Sequence, residues 1–314
     1  MHNTVYSDEN IKSRNGEKPS HSQIHGYSHL VDLRDCYPFV KWAGGKSQIL
    51  SKLDSMIPSK FNRYFEPFLG GGAMFFHLIS DRNMRFTAYL SDINWELITA
   101  YKVVKNNVGE LIELLKRHER EYNRNPSKYY YKLRDEIKPV TDIDKTARFI
   151  ALNKTCYNGL YRVNRNGIFN VPMGRYKNPL ICDSNNLGNI GNALRYSRAA
   201  INVSDYKDAL LKAEEDDFIY LDPPYHPTSP TANFTGYSDN GFGNNDQLQL
   251  AKLFVELNDR KCKVLLSNSD TPFIRKVYSD FSGFIKEVNV SRVINSKASR
   301  RSGHKELLIS NYSS

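Results

Sequence analysis

The tetrapeptide Asp222-Pro223-Pro224-Tyr225 closes the apolar run Phe218-Ile219-Tyr220-Leu221, and its residue types suit one kind of chemistry. Two consecutive prolines after a buried strand hold the backbone in an extended turn. Carbonyls without partners inside that turn can face a ligand. A carboxylate and a proline carbonyl then offer two acceptors at fixed spacing, with an aromatic plane close by. An exocyclic amine on a flat base requires this set. A strand-ending turn with a buried tyrosine would account for a bare Pro-Pro pair, but the flanking Asp222 and Tyr225 and a glycine cluster upstream favour a ligand site.

That cluster, Glu66-Pro67-Phe68-Leu69-Gly70-Gly71-Gly72, lies between a predicted strand and the helical run Ala73–Leu78. Glycines let the backbone approach a nucleotide-like ligand without a Cβ clash. The dinucleotide fingerprint G-x-G-x-x-G would need glycine where Phe75 stands, so F-x-G-x-G remains. Asp92 falls twenty residues past Gly72, at the end of the next predicted strand, where Rossmann-like sheets place a carboxylate for ribose hydroxyls. The pair suits an adenosine-containing ligand; a tight turn with a helix cap would use the same residues. A further cluster, Lys41-Trp42-Ala43-Gly44-Gly45-Lys46-Ser47, ends like a phosphate-binding G-x-x-x-x-G-K-[ST] loop. Val40 occupies its first glycine position, which disfavours a nucleoside triphosphatase.

These residues need a sheet edge to bring them together. From Phe39 onward, short apolar runs alternate with longer helical stretches, as in parallel strands joined by crossover helices. The expected strands are Arg63–Glu66, Thr87–Ser91, Phe218–Leu221, Val264–Ser267 and Leu307–Ile309, with Asp92, Asp222 and Asn268 following three of them. Between Lys105 and about Ser204 the texture becomes helical, charged and Tyr-rich, with predicted helices over Leu111–Tyr122, Ser127–Ile137 and Asp144–Tyr157. Within it, Asn164-Arg165-Asn166-Gly167 separates Leu160–Val163 from Ile168–Val171 and signals a β-hairpin, since Asn and Gly both tolerate positive φ. A basic hairpin is one shape that fits a DNA major groove. The expected division is a flexible polar arm over 1–36, an α/β unit from 37–104 and 200–314, and an inserted, mostly helical unit over 105–199.

Composition bounds the rest. At roughly 150 residues per domain, 314 residues allow two domains or one α/β unit with an insertion. Lys and Arg number 44 against 34 Asp and Glu, a net charge of +10 that fits a polyanionic partner without establishing one. No run of about 18 apolar residues exists, so no membrane span is expected. Cys36, Cys156, Cys182 and Cys262 form no C-x-x-C pair, and the first twenty residues lack the apolar core of a secretory signal. Reduced thiols and a cytoplasmic location are expected. His21, His25 and His29 have helical spacing, but no carboxylate or thiolate completes a metal site. No metal is expected, and no P-D…(D/E)-x-K set of a metal-dependent nuclease stands out.

Lys41-Trp42-Ala43-Gly44-Gly45-Lys46, Glu66 to Gly72 and Asp222 to Tyr225, in that order, resemble the DNA adenine-N6 methyltransferases of the Dam and DpnM type, the alpha group of the D12 class. The resemblance continues through Tyr157-Asn158-Gly159-Leu160-Tyr161-Arg162, Phe169 to Lys177, Ala232-Asn233-Phe234-Thr235 and Leu266-Ser267-Asn268-Ser269, over about residues 37 to 312. It implies a Rossmann-like, S-adenosylmethionine-dependent methyltransferase sheet of α/β class, with an inserted, mostly helical DNA-recognition domain carrying the β-hairpin. By similarity Trp42, Lys46, Asp92 and Asp222 contact the cofactor, Phe68, Gly70 and Gly72 shape its pocket, and Asp205 is a candidate for its adenine. Asp222, Pro223 and Tyr225 form the catalytic set.

The same resemblance assigns Arg162 to a guanine and Asn158, Leu160 and Pro172 to other bases. Tyr157 is implied as a wedge in the opened stack, and Arg175, Tyr176 and Lys177 as holders of phosphates or of the hairpin base. The implied activity is methyl transfer to a flipped-out adenine within GATC. Double-stranded DNA is the expected partner, single-stranded DNA remains open, and a companion restriction endonuclease is compatible with the family. Methylation of cytosine N4 or of RNA, and an inactive DNA-binding relative, are the alternatives.

Overall fold

The computed structural model describes residues 33, 35–46, 49–228, 242–290 and 304–313. The run Phe218–Leu221 is buried at all four positions, as a strand covered on both faces must be. It forms β4 in a seven-stranded sheet with β1 (Arg63–Glu66), β2 (Thr87–Asp92), β3 (Ala200–Val203), β5 (Lys263–Ser269), β6 (Ile285–Val290) and β7 (His304–Ser310), in the order β3-β2-β1-β4-β5-β7-β6. The first five neighbours run parallel. The last two correct the expectation of parallel strands alone, since β7 runs antiparallel to both β5 and β6. β6 had no counterpart in the sequence reading. It is an edge strand in which Val288 is buried between exposed Glu287 and Asn289, too weak an apolar signal to register.

Alternation along the strands splits the core in two, because successive side chains leave opposite faces. Tyr64, Phe218, Tyr220, Leu265 and Leu308 join one buried cluster, while Phe65, Ile219, Leu221, Leu266, Leu307 and Ile309 join the other. The first face is covered by α3 (Trp95–Asn106) and α7 (Ser184–Tyr196), and the second by α9 (Asn244–Asp259). Shorter helices α2 (Ala73–Phe76), α8 (Tyr206–Ala209) and α10 (Pro272–Val277) follow loops at strand ends, and α1 (Leu50–Leu53) precedes β1.

The predicted helical stretch forms α4 (Val108–Arg124), α5 (Pro126–Tyr131) extended by a π turn over Lys132–Glu136, and α6 (Asp142–Thr155). Thr141 caps α6 by accepting from Asp144 N–H at 3.1 Å, while the Asp144 carboxylate accepts from Thr141 N–H at 3.2 Å. Leu111, Leu115, Tyr130, Leu133 and Ile150 from these helices belong to the same apolar cluster as β1 and β2. Leu33 and Cys36 are buried in it as well.

The hairpin differs from expectation in its turn and its arms. Its arms are joined by an isolated antiparallel bridge, Val163 with Phe169, and not by two strands. Asn164 N–H donates to Ile168 O at 2.8 Å and Gly167 N–H to Asn164 O at 2.9 Å, while Gly167 alone of the turn residues has positive φ, +72°. The Asn164 carboxamide oxygen accepts from Asn166 and Ile168 N–H groups at 2.9 and 3.0 Å. The glycine therefore serves a turn one residue longer than an Asn-Gly pair would close, and Asn164 supplies the local bonds that hold it.

Candidate active site

Strand order reverses between β1 and β4, and in open α/β sheets the crevice at such a point, beyond the carboxyl ends of the strands, is where ligands bind. Glu66 ends β1 and Asp222 follows β4 at this position. Lys46, although distant in sequence, brings its ammonium within 2.8 Å of Asp222 Oδ1 and donates to Gly44 O at 2.6 Å. Ser267 on β5 donates to the same Asp222 Oδ1 at 2.8 Å, and the Tyr220 hydroxyl lies 3.2 Å from Ser267 Oγ. Both contacts found for the carboxylate among the described residues fall on one oxygen, which leaves the acceptor capacity of Oδ2 to a ligand.

Tyr225 is held from two sides. Its ring lies under the Lys46 ammonium, 4.6 Å from nitrogen to centroid. Its hydroxyl donates to Glu306 Oε2 at 2.9 Å, from a carboxylate buried on β7. Burial, reinforced by the charges of Asp222 and Glu306, pushes the phenol well above its ordinary range and keeps it a donor.

The glycine loop and Asp92 meet as the spacing predicts. Gly70 N–H donates to Asp92 Oδ2 at 2.9 Å and Asn94 N–H to Oδ1 at 2.9 Å. Burial raises the Asp92 pKa, and the amides of Asn94, Gly70 and Ile93 oppose it. Gly70 has φ +47°, and a Cβ there would stand 2.8 Å from Trp42 Cδ1, so the glycine is required by the indole packed on the loop. Trp42 stacks on Tyr161 at 5.6 Å, which ties the Lys41–Lys46 segment to the hairpin base. Phe68 stacks on Tyr206 at 5.3 Å. Asp205 is exposed at the end of β3, where it caps α8 by accepting from Lys207 N–H at 2.9 Å.

The residues implied for DNA differ in exposure. Tyr157, Asn158, Arg162, Pro172, Arg175 and Lys177 are exposed. Leu160 is half-buried against the core. Arg162 folds back on Asn170, donating to its Oδ1 at 2.8 Å and to its carbonyl at 3.2 Å. Tyr176 lies under the Lys41 ammonium at 3.8 Å. Ala232-Asn233-Phe234-Thr235, the three N-terminal histidines and the basic residues Lys297, Arg300 and Arg301 lie outside the described residues.

Several site residues escaped the sequence reading as individuals. Ser267 and Glu306 sit on strands where a polar residue in an apolar run is the only signal, whereas Asn268, expected just after a strand, lies within β5. Ile93, 63% exposed directly after Asp92, presents an apolar face beside that carboxylate. Glu66 is buried with the Tyr64 hydroxyl donating to it at 2.8 Å, and burial raises its pKa to about 8 against that hydrogen bond, with the charges of Asp222 and Asp92 adding to the rise. Shallow recesses of about 520 and 560 Å³ occur elsewhere, one by Lys60 and Lys263 and one by Glu110 and Thr141. Neither includes a residue of this crevice.

A model of the D12 class N6 adenine-specific DNA methyltransferases matches residues 42–294. The chain belongs to this family. The type II methyltransferase M.MjaIII of Methanocaldococcus jannaschii is 44% identical over 290 residues, which cover 88% of this chain and 99% of that protein. The type II methyltransferase M1.LlaDCHI of Lactococcus lactis subsp. cremoris is 39% identical over 287 residues, covering 90% and 96%. The DNA adenine methylase of Escherichia coli K12 is 36% identical over 275 residues, covering 86% and 93%. As a D12 enzyme the protein is an adenine-specific DNA methyltransferase, and the cytosine-N4, RNA and inactive-relative alternatives are set aside. Among the described residues of the methyltransferase, no helix is long and apolar enough to cross a membrane.

Proposed function

We propose that this adenine methyltransferase takes its methyl group from S-adenosylmethionine and places it on N6 of an adenine turned out of a GATC site in double-stranded DNA. The observation that carries this reading is the Asp222 carboxylate at the strand-order reversal, steered by Lys46 and Ser267 through one oxygen. The residues present suit the cofactor. Asp92 retains acceptor capacity for ribose hydroxyls beyond its amide bonds, Ile93 offers an exposed apolar side chain, and the loop from Phe68 to Gly72 allows close approach. Trp42, Lys46 and Asp222 complete the cofactor set, with Asp205 at its edge. When bound, S-adenosylmethionine supplies an electrophilic sulfonium methyl.

The protein's own part is positioning and electrostatics. Adenine N6 is a weak nucleophile because its lone pair is delocalised into the ring. Asp222 and the Pro223 carbonyl accept its two N–H bonds and favour a pyramidal nitrogen, while Tyr225 stacks on the base. Turning the base out costs a few kcal/mol, which contacts to DNA must offset. In this reading 105–199 is the target-recognition unit, with Arg162 on a guanine, Asn158, Leu160 and Pro172 on other bases, Tyr157 in the opened stack and Arg175, Tyr176 and Lys177 near phosphates. The parts 37–104 and 200–314 form the catalytic unit, and 1–36 is an accessory arm. The enzyme acts in the cytoplasm, and the type II names of two relatives support a companion restriction endonuclease.

Asp222→Ala tests the reading. Purified variant with unchanged circular dichroism is expected to transfer no labelled methyl group to GATC-containing duplex. Substantial turnover by the folded variant refutes the assignment.

A further inference from the structure

We infer that Gln247 and Asn268 form a buried amide relay that dictates which proline carbonyl of the Asp222–Tyr225 loop is presented to the substrate amine. The inference rests on the proposed role of Asp222 and Pro223 as acceptors. The relay starts at the His226 backbone N–H, which donates to Asn268 Oδ1 at 3.0 Å. Asn268 Nδ2 donates to Gln247 Oε1 at 3.0 Å, and Gln247 Nε2 donates to Pro224 O at 2.9 Å. A backbone N–H can only donate and a carbonyl can only accept, so the two ends set the orientation of both carboxamides. Gln247 and Asn268 are each 0% exposed, and no solvent competes with the chain.

The consequence for the loop is specific. Pro224 O is occupied, and among the described residues no group donates to Pro223 O, although Pro223 is buried. A buried carbonyl is ordinarily paired. Pro223 O is therefore the acceptor left over, next to Asp222. Pro224 O also lies in the peptide plane that carries Tyr225 N and Cα, so fixing it fixes where the Tyr225 Cα stands. One end of the relay stands on α9 and the other on β5, which makes the turn a bridge between two rigid elements. Neither amide reaches the crevice, so both are positioning residues.

The test uses the full-length enzyme with S-adenosylmethionine and GATC duplex. Gln247→Glu and Asn268→Asp each replace a donating NH2 by an accepting oxygen at nearly constant shape. Each is expected to lower kcat by about tenfold to a hundredfold, with KM for DNA and for S-adenosylmethionine within about threefold of the parent. The double variant should lose no more than the worse single one, because both changes break the same chain. Gln247→Met, uncharged and of similar length, should show the same kcat loss and serves if a carboxylate variant fails to fold. Turnover within about twofold of the parent in these variants, additive losses, or kcat and KM worsening together in step with Tm overturns the relay. If Asp222→Ala is inactive while the amide variants turn over normally, the relay alone fails. If Asp222→Ala itself turns over, the acceptor reading and the relay fall together.

Discussion

Glu66 is buried at the end of β1, and its hydroxyl partner on Tyr64 does not neutralise it. Its pKa, raised from 4.5 to about 8 with burial the main cause, makes it neutral in the folded enzyme at pH 7. The sign follows from linkage. The unfolded chain releases this proton near pH 4.5 and the folded chain only near pH 8, so the contribution to stability is full below 4.5 and is lost as pH rises through 8. Glu66→Gln should flatten that decline, whose limiting slope is about 1.4 kcal/mol per pH unit. Urea midpoints at several pH values between the two pKa values check it; parallel curves for parent and variant would remove the assignment. Asp222, Tyr225, Gly70 and Asp92 were legible in the sequence because each lies in a contiguous motif or at a fixed offset from one. Ser267 and Glu306 were not, because what they do depends on register: β5 must lie beside β4 to put Ser267 under Asp222, and β7 beside β5 to bring Glu306 to Tyr225.

Among the elements, the turn that ends α6 controls how the Lys41–Lys46 segment meets the hairpin. Buried Asn153 accepts from Lys41 N–H at 2.7 Å and donates to Lys41 O at 2.8 Å and to Gly159 O at 3.1 Å. Gly159 has φ +64°, and a Cβ there would stand 2.4 Å from Lys41 Cβ. Gly159→Ala should therefore destabilise the enzyme by about 1–3 kcal/mol through backbone strain and overpacking, read from denaturant midpoints; an unchanged midpoint would show that the two segments separate freely. On the adjoining arm, Arg162 donates two of its five guanidinium N–H groups to Asn170. With Arg162 reading a guanine, Arg162→Ala should cost about 1–3 kcal/mol of discrimination at one position. Unaltered preference across single-base variants of the site would sink that role. The hairpin turn was visible in its Asn and Gly, but its length was not: the glycine specifies a left-handed residue, and the Asn164 side chain decides where the loop closes. β6 stayed hidden because an edge strand needs only one buried side chain to hold its place.

At the scale of the whole molecule, the net charge of +10 acquires a location. Arg162, Arg165, Arg175 and Lys177 are exposed on the hairpin side. Charges that displace counterions from DNA make affinity fall with salt in proportion to their number. Replacing Arg175 and Lys177 together by alanine should reduce the slope of log K against log salt by about 1 per residue. Binding titrations between low and moderate salt measure it, and an unaltered slope would place those two residues away from phosphate. Composition showed the surplus but not which of these side chains are exposed.

The strand order also sets when activity can first arise during synthesis. β1 pairs with β4, aligning Tyr64 with Phe218, while Ser267 and Glu306 arrive on the last parallel strand and on the final strand. Loop-closure entropy over so long a separation slows such pairing. A ribosome must therefore release nearly the entire chain before Asp222 and Tyr225 gain their supports. A C-terminally truncated chain would lack the hydrogen bonds of Ser267 to Asp222 and of Tyr225 to Glu306.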